Sequence, residues 1–341
     1  MPHNSRRNVY VVLKSLPAFG FLLAMLAVAA PLSAEARPLN VVIVMGGLKN
    51  DGGFNQYAAE AAAALEKQGE IKFRIRESVT TPANAEPIFR QFAAQGYDLV
   101  IGWGLSYSDS IFKVAKEIPK AHFVATGSNN ILTRSTDNVE TWTFATDQMG
   151  YLTGWVAGKT GRSPVAVVEG QSAPFEEVIY KYMAAGLKAA NPAAKQLKTI
   201  FTGSWEDPQL GSQAAKAQID LGAQLIVTGS EGYTSGVVSA AKAGGIVTIG
   251  ASNAVGRNAM LVNIGLVKLD LTPALQEMVQ RLRHGTFGHK GYLATIGNKG
   301  LVFGDVNAVQ ATPPLPGDLR EEADRLAANL ASGSTRLPDL R

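Results

Sequence analysis

The 341-residue chain contains no cysteine. Disulfide cross-links, thiolate metal sites and a lipid-anchored cysteine are thereby excluded, and stability must come from apolar cores. Histidine is scarce too: His3, His122, His284 and His289 are the complete set, and none sits at metal-ligand spacing. There is no Gly-x-Ser-x-Gly nucleophile elbow and no Walker phosphate loop, so no cofactor is implied. Charge of one sign is lacking as well. Lysine and arginine total 32 against 28 aspartates and glutamates, with no cationic block, which argues against nucleic acid as a partner. Carboxylates near strand ends (Asp147, Glu169, Asp207 and Glu231) offer a glycosidase-like pair on paper, yet such residues more often cap helices or hold ligand hydroxyls. The chain is therefore expected not to be an enzyme.

No apolar run reaches the roughly 20 residues that cross a bilayer. The longest lies at the start, where Arg6, Arg7 and Lys14 precede an uninterrupted stretch from Ala18 to Ala30, followed by Ala34-Glu-Ala36. A positive region, a short apolar core and an A-x-A site describe a cleaved signal peptide over residues 1–36. Removing Arg6, Arg7, Lys14 and Glu35 lowers the formal charge from +4 to +2. The mature protein is expected to be periplasmic and soluble, and a monomer.

Hydrophobic residues make up 46% of the chain, enough for large cores. Short β-branched runs recur at Asn40–Met45, Lys72–Arg76, Leu99–Gly102, His122–Thr126, Thr141–Thr146, Val165–Glu169, Lys198–Phe201, Leu225–Thr228, Ile246–Ile249 and Leu261–Ile264. Between them lie helical patterns of 3.6-residue period, from Asn55–Gln68 to Leu271–Arg283. Strands alternating with helices specify parallel sheets with right-handed crossovers. Ten strands exceed what one sheet holds comfortably. The expected fold class is α/β, with two doubly wound lobes. A charged surface helix from Asp318 to Ala331 and a loose tail close the chain.

Ligands of open parallel sheets bind beyond the carboxyl ends of the strands, so the loops there carry the functional candidates. After Met45 comes Gly46-Gly-Leu-Lys-Asn-Asp-Gly-Gly-Phe-Asn-Gln56, in which Asp51 is placed to cap the following helix. Trp103 and Ser106 follow the third strand. Trp205 and Asp207 lie just before Pro208 at a helix start, and Glu231 lies in Gly229-Ser-Glu-Gly-Tyr-Thr-Ser-Gly236. Phe54 and Trp205 occupy comparable loops of the two halves. If the lobes face each other, these rings can close on a planar guest, each stacked base contributing roughly 1–3 kcal/mol.

Asp51-Gly-Gly-Phe-Asn-Gln56, Gly96–Gly102, Phe144 with Tyr151-Leu-Thr-Gly154, Gly203-Ser-Trp-Glu-Asp-Pro208 and Gly222-Ala-Gln-Leu-Ile226 follow in order along the chain. In order and spacing they resemble the basic membrane protein family of ABC-transporter substrate-binding proteins, which includes purine nucleoside receptors. The resemblance spans about Pro38 to Thr312. It implies a type I periplasmic binding fold whose lobes are joined by a multi-strand hinge. Residues 37–146 plus 250–285 would form one lobe, 147–249 plus 286–312 the other, and 313–341 the terminal helix and tail. It further implies a purine nucleoside or nucleobase held between Phe54 and Trp205, polar contacts from Asp51 and Asn55, and a membrane permease with its ATPase as partners.

Two positions depart from the family pattern. An acidic residue that holds ribose hydroxyls is replaced by the loop Ala251-Ser-Asn253, leaving Ser252 and Asn253 as weaker acceptors, and a family lysine aligns with Val267. The base sandwich thus survives better than the ribose clamp. Aromatic platforms also stack on sugars, so a sugar or other small solute, serving uptake or a sensory receptor, is the alternative.

Overall fold

The structure, a computed structural model, describes residues 37–250, 261–265, 267–304, 306, 308 and 310–340. From Pro38 onward they belong to one compact unit. Its first half runs β1 (Leu39–Met45), α1 (Phe54–Lys67), β2 (Ile71–Arg76), α2 (Pro82–Ala94), β3 (Leu99–Trp103), α3 (Ser108–Glu117), β4 (Phe123–Thr126) and β5 (Val139–Phe144). The second half runs α4 (Thr146–Lys159), β6 (Val165–Glu169), α5 (Pro174–Ala190), β7 (Ile200–Phe201), α6 (Pro208–Asp220), β8 (Leu225–Thr228), α7 (Thr234–Ala243), β9 (Val247–Ile249) and β10 (Asn263–Ile264). The chain then continues through β11 (Val267–Leu269), α8 (Thr272–Arg283), β12 (Gly291–Ala294), β13 (Leu301–Phe303) and α9 (Leu319–Ser332).

Two parallel sheets result. The first has the order β12-β5-β4-β3-β1-β2 and the second β10-β9-β8-β6-β7. β3 and β6 are buried along their whole length, and the sequence accordingly reads as unbroken apolar runs. β2, at an open edge, alternates instead: Ile71 is buried while Lys72 and Arg74 are exposed. Both sheets share one winding. The chain lays down a first strand, adds its neighbour on one side, then continues on the other. The winding reverses between β1 and β3 in one lobe and between β6 and β8 in the other.

Helix starts follow the local sequence. Thr81 Oγ1 accepts the Asn84 N–H at 3.2 Å and Pro82 opens α2; Asp207 and Pro208 do the same for α6. α4 and α5 lie unusually close, because Gly150, Gly154 and Gly186 present bare backbone where a Cβ would overlap a carbonyl of the facing helix. This seam fixes how α5 sits beneath the second sheet's carboxyl end.

The hinge is built from crossings between the lobes. β11 pairs antiparallel with β13, Val267 opposite Phe303 and Leu269 opposite Leu301. Beside it, the Ala145 N–H donates to Ala294 O at 2.9 Å, where the first sheet hands over to α4.

Two expectations are corrected. β10 lies in the second sheet, paired with β9, although 250–285 was assigned to the first lobe. β12 extends the first sheet beside β5, although 286–312 was assigned to the second. Strands of two to four residues carry too little periodicity to announce a partner. β10 is held by the ladder and by a 3.0 Å Thr248–Asn263 side-chain bond, neither visible locally. The terminal helix packs on the fold, and the tail beyond it touches the fold near its end. α9 buries Leu319, Ala323, Leu326 and Leu330, Lys159 pairs with Glu322 at 2.8 Å, and Lys181 Nζ donates to Leu340 O at 3.1 Å.

Candidate functional site

The two winding reversals face one cavity of about 530 Å³. Loops after β1 and β3 form one wall; β6, the start of α5, and the loops before α6 and α7 form the other. A volume of this size suits a small-molecule ligand, for which pockets of roughly 300–1,000 Å³ are usual.

Asp51 organises the first wall from within. Its Oδ1 accepts the N–H groups of Gly53 (2.8 Å) and Gln56 (3.1 Å), and its Oδ2 accepts the Asn55 N–H (3.1 Å) and side-chain amide (2.8 Å). Both carboxylate oxygens are thus engaged in the loop, and Asp51 does not reach the cavity lining. In this arrangement its carboxylate serves the loop. Asp51 orients Asn55, which does line the cavity.

Phe54 opens α1 and stacks on Trp103, with ring centroids 4.6 Å apart and planes inclined by 20°. Trp103 is fully buried at the end of β3, rests on Trp142 and donates its Nε1–H to Phe54 O at 2.9 Å. One face of Phe54 is therefore supported by a fixed indole. The wall meets the other lobe directly: the Phe54 N–H donates to Ser230 O at 2.9 Å, and a Cβ on Gly53 would overlap that carbonyl. Only glycine permits this approach.

From the opposite side comes Trp205, packed over the bare backbone of Gly170 at the end of β6, where any Cβ would strike the indole. Phe54 and Trp205 thus line the same cavity from different sheets, together with Trp103, Asn55, Ser106 and Glu231. Asp207 does not. Its Oδ1 accepts from Gln209 N (2.8 Å) and Leu210 N (3.4 Å), so it caps α6, as the preceding-proline pattern allows. Ser252 and Asn253 lie outside the described residues. Val267, the position aligned with the family lysine, is buried and contributes an apolar surface to the lining, whereas Lys268, next along β11, is absent from it.

Sequence reasoning missed Glu176, Glu206 and Tyr180 as cavity residues and Tyr233 behind them. Glu176 and Tyr180 are four apart on α5 and so share a face, a signal readable once that helix is placed. Glu169 accepts from Tyr180, Tyr233 and the Gly170 N–H (2.9 Å). Burial pushes its carboxyl up, against the pull of these donors. Glu176 is pushed up to about 10 by burial and by the neighbouring Glu169 charge. Glu231 and Glu206, near Asn55 and Gly47, are raised first by burial and then by the charge of Asp51.

Two parallel α/β lobes joined by strands, with an aromatic-lined cavity at their facing carboxyl edges, have the architecture of a solute-binding protein. Residues 39–254 match the family described as ABC transporter substrate-binding protein PnrA-like, and the chain belongs to it. A purine-binding protein of Brucella abortus is 31% identical over 175 residues, covering 50% of this chain and 47% of that protein. A nucleoside-binding protein of an ABC transporter from Lactococcus lactis is 28% identical over 198 residues, covering 57% and 55%. The chain spans about half the length of these curated relatives. Among solved structures, an ABC-transporter solute-binding protein from Conexibacter woesei superposes with a TM-score of 0.76 at 42% identity, covering 88% of this chain and 99% of that one.

Proposed function

We propose that this protein is the exported solute receptor of an ABC importer and that its cargo is a purine nucleobase or nucleoside, the free base above all. Signal cleavage after Ala36 would release it into the periplasm, and a permease with its ATPase would take the cargo from the opened lobes. One observation carries the reading: Phe54 and Trp205 reach the same cavity from different sheets, with Phe54 braced on Trp103. Two relatives named for purine and nucleoside binding support it. Val267 in the wall favours a base over a ribose-bearing ligand, since an aliphatic side chain offers sugar hydroxyls no partner.

Native mass spectrometry of the protein as purified should show retained cargo of purine mass. Calorimetry against nucleobases, nucleosides and sugars should then rank purines first, at micromolar affinity or tighter. Trp205→Ala should weaken purine binding by about tenfold or more, in line with roughly 1–3 kcal/mol per stacked base. Unchanged purine binding in that variant would overturn the sandwich. The carboxyls of the second wall also suit hydroxyl-rich guests, so a panel led by sugars would instead assign the cavity to sugar uptake or sensing.

A further inference from the structure

The second wall is acidic in a way that base stacking does not require. Glu169, Glu176, Glu206 and Glu231 all line the cavity, and the described lining residues include no lysine, arginine or histidine. Glu169 is satisfied by its two tyrosines and a backbone N–H. Glu176 is not. It is only 3% exposed, and its Oε2 is buried without a hydrogen-bond partner. A buried carboxyl oxygen without a partner, on a residue of the cavity wall, is a group that a guest can complete. Phe175 and Tyr180 adjoin it on α5, and Trp205 faces the same space, so rings and carboxyls occur together. That combination recognises organic cations, through ring faces on one side and charge-assisted hydrogen bonds on the other.

We propose that the end of the cavity around Glu176 is a subsite for a cationic amidine-type group on a planar ligand, so that the receptor prefers aromatic solutes bearing such a group and refuses anions, nucleotides included. The inference rests on the reading of the cavity as a heteroaromatic site and narrows it to one kind of ligand edge. The groups facing Glu176 are Glu169 from β6 and Tyr180 from its own helix, with Tyr233 bonded to Glu169; Glu206 and Glu231 line the same cavity. In this acidic setting Glu176 holds its proton when the cavity is empty of cations. An arriving amidinium takes that proton's place at the carboxylate, and the proton leaves to solvent. A neutral guest releases none.

The test uses benzamidine, a planar amidinium at neutral pH, its neutral relative benzamide and the anion benzoate, with adenine and guanosine alongside. Titration calorimetry of the mature protein at pH 7 in two buffers of different ionisation heat gives affinity and protons released together. Benzamidine should bind about tenfold or more tightly than benzamide, with about one proton released per ligand, and benzoate should not bind. Glu176→Gln should bring benzamidine and benzamide within about threefold of each other and abolish the release. The wild-type proton count stands whether or not that variant folds. Equal affinities for benzamidine and benzamide, no benzamidine binding, or a wild-type proton count of zero would overturn the subsite. Purines that bind while the cation preference is missing would overturn it alone. Failure of adenine and guanosine to bind would strike the purine reading, while a preserved benzamidine preference would still uphold the acidic subsite.

Discussion

The two lobes repeat one winding and differ in what they present to the space between them. The first lobe brings rings and almost no charge: Phe54 on Trp103, Trp103 on Trp142, with Asp51 turned inward to hold Asn55. The second brings Phe175, Tyr180 and Trp205 together with four carboxyls. Identical topology thus places different chemistry at equivalent strand ends, because the sheet fixes where loops converge while the loop residues remain free to vary. A rigid apolar platform can give a guest its orientation; a buried acidic wall can give it its identity.

Breaking the meeting of the lobes should have the largest effect. Gly53→Val puts a branched side chain where Ser230 O now sits, so ligand affinity should fall by about a hundredfold or more, near 3 kcal/mol, as measured by calorimetry. The melting temperature should move far less, because Gly53 lies outside the packed hydrophobic clusters. A smaller effect separates the acidic wall from the aromatic one. Glu176 is raised to about 10 in the folded protein against an unfolded value of 4.5. Between those values the folded state holds the extra proton, so stability is fully present below about pH 4.5 and is lost as pH climbs toward 10. Glu176→Gln removes that loss. Its melting temperature should lie close to wild type near pH 5 and exceed it increasingly toward pH 9. No comparable pH-dependent gap should follow from Trp103→Phe. Smallest of all, Asp207→Ala should cost about 1 kcal/mol as a lost helix cap, lowering the melting temperature by about 2–4 °C while leaving ligand affinity unchanged. A large affinity loss there would return Asp207 to the site.

Much of the fold was legible because parallel strands buried on both faces must be apolar throughout. β1, β3, β6 and β8 stood out as runs of valine, isoleucine and leucine. The loops that matter were legible from glycine and aromatic residues at strand ends. Capping residues were harder to read. Asp51 and Asp207 look alike in sequence as ligand carboxylates and as caps, and their partners turn out to be backbone N–H groups a few residues ahead. Glu176 went unnoticed for the opposite reason. It resembles any acidic first-turn residue of an exposed helix, and only the glycine seam between α4 and α5 carries it into the interior.

What the sequence determined by itself was the class of architecture, since periodicity and loop composition are local properties carried by neighbouring residues. The tertiary structure decided which sheet β10 and β12 join, that Asp51 holds the loop around Asn55, and that four glutamates share one wall. Those outcomes depend on residues tens to hundreds of positions apart being brought within a few ångströms. Burial, which sets the protonation of a carboxyl, exists only once that packing is complete.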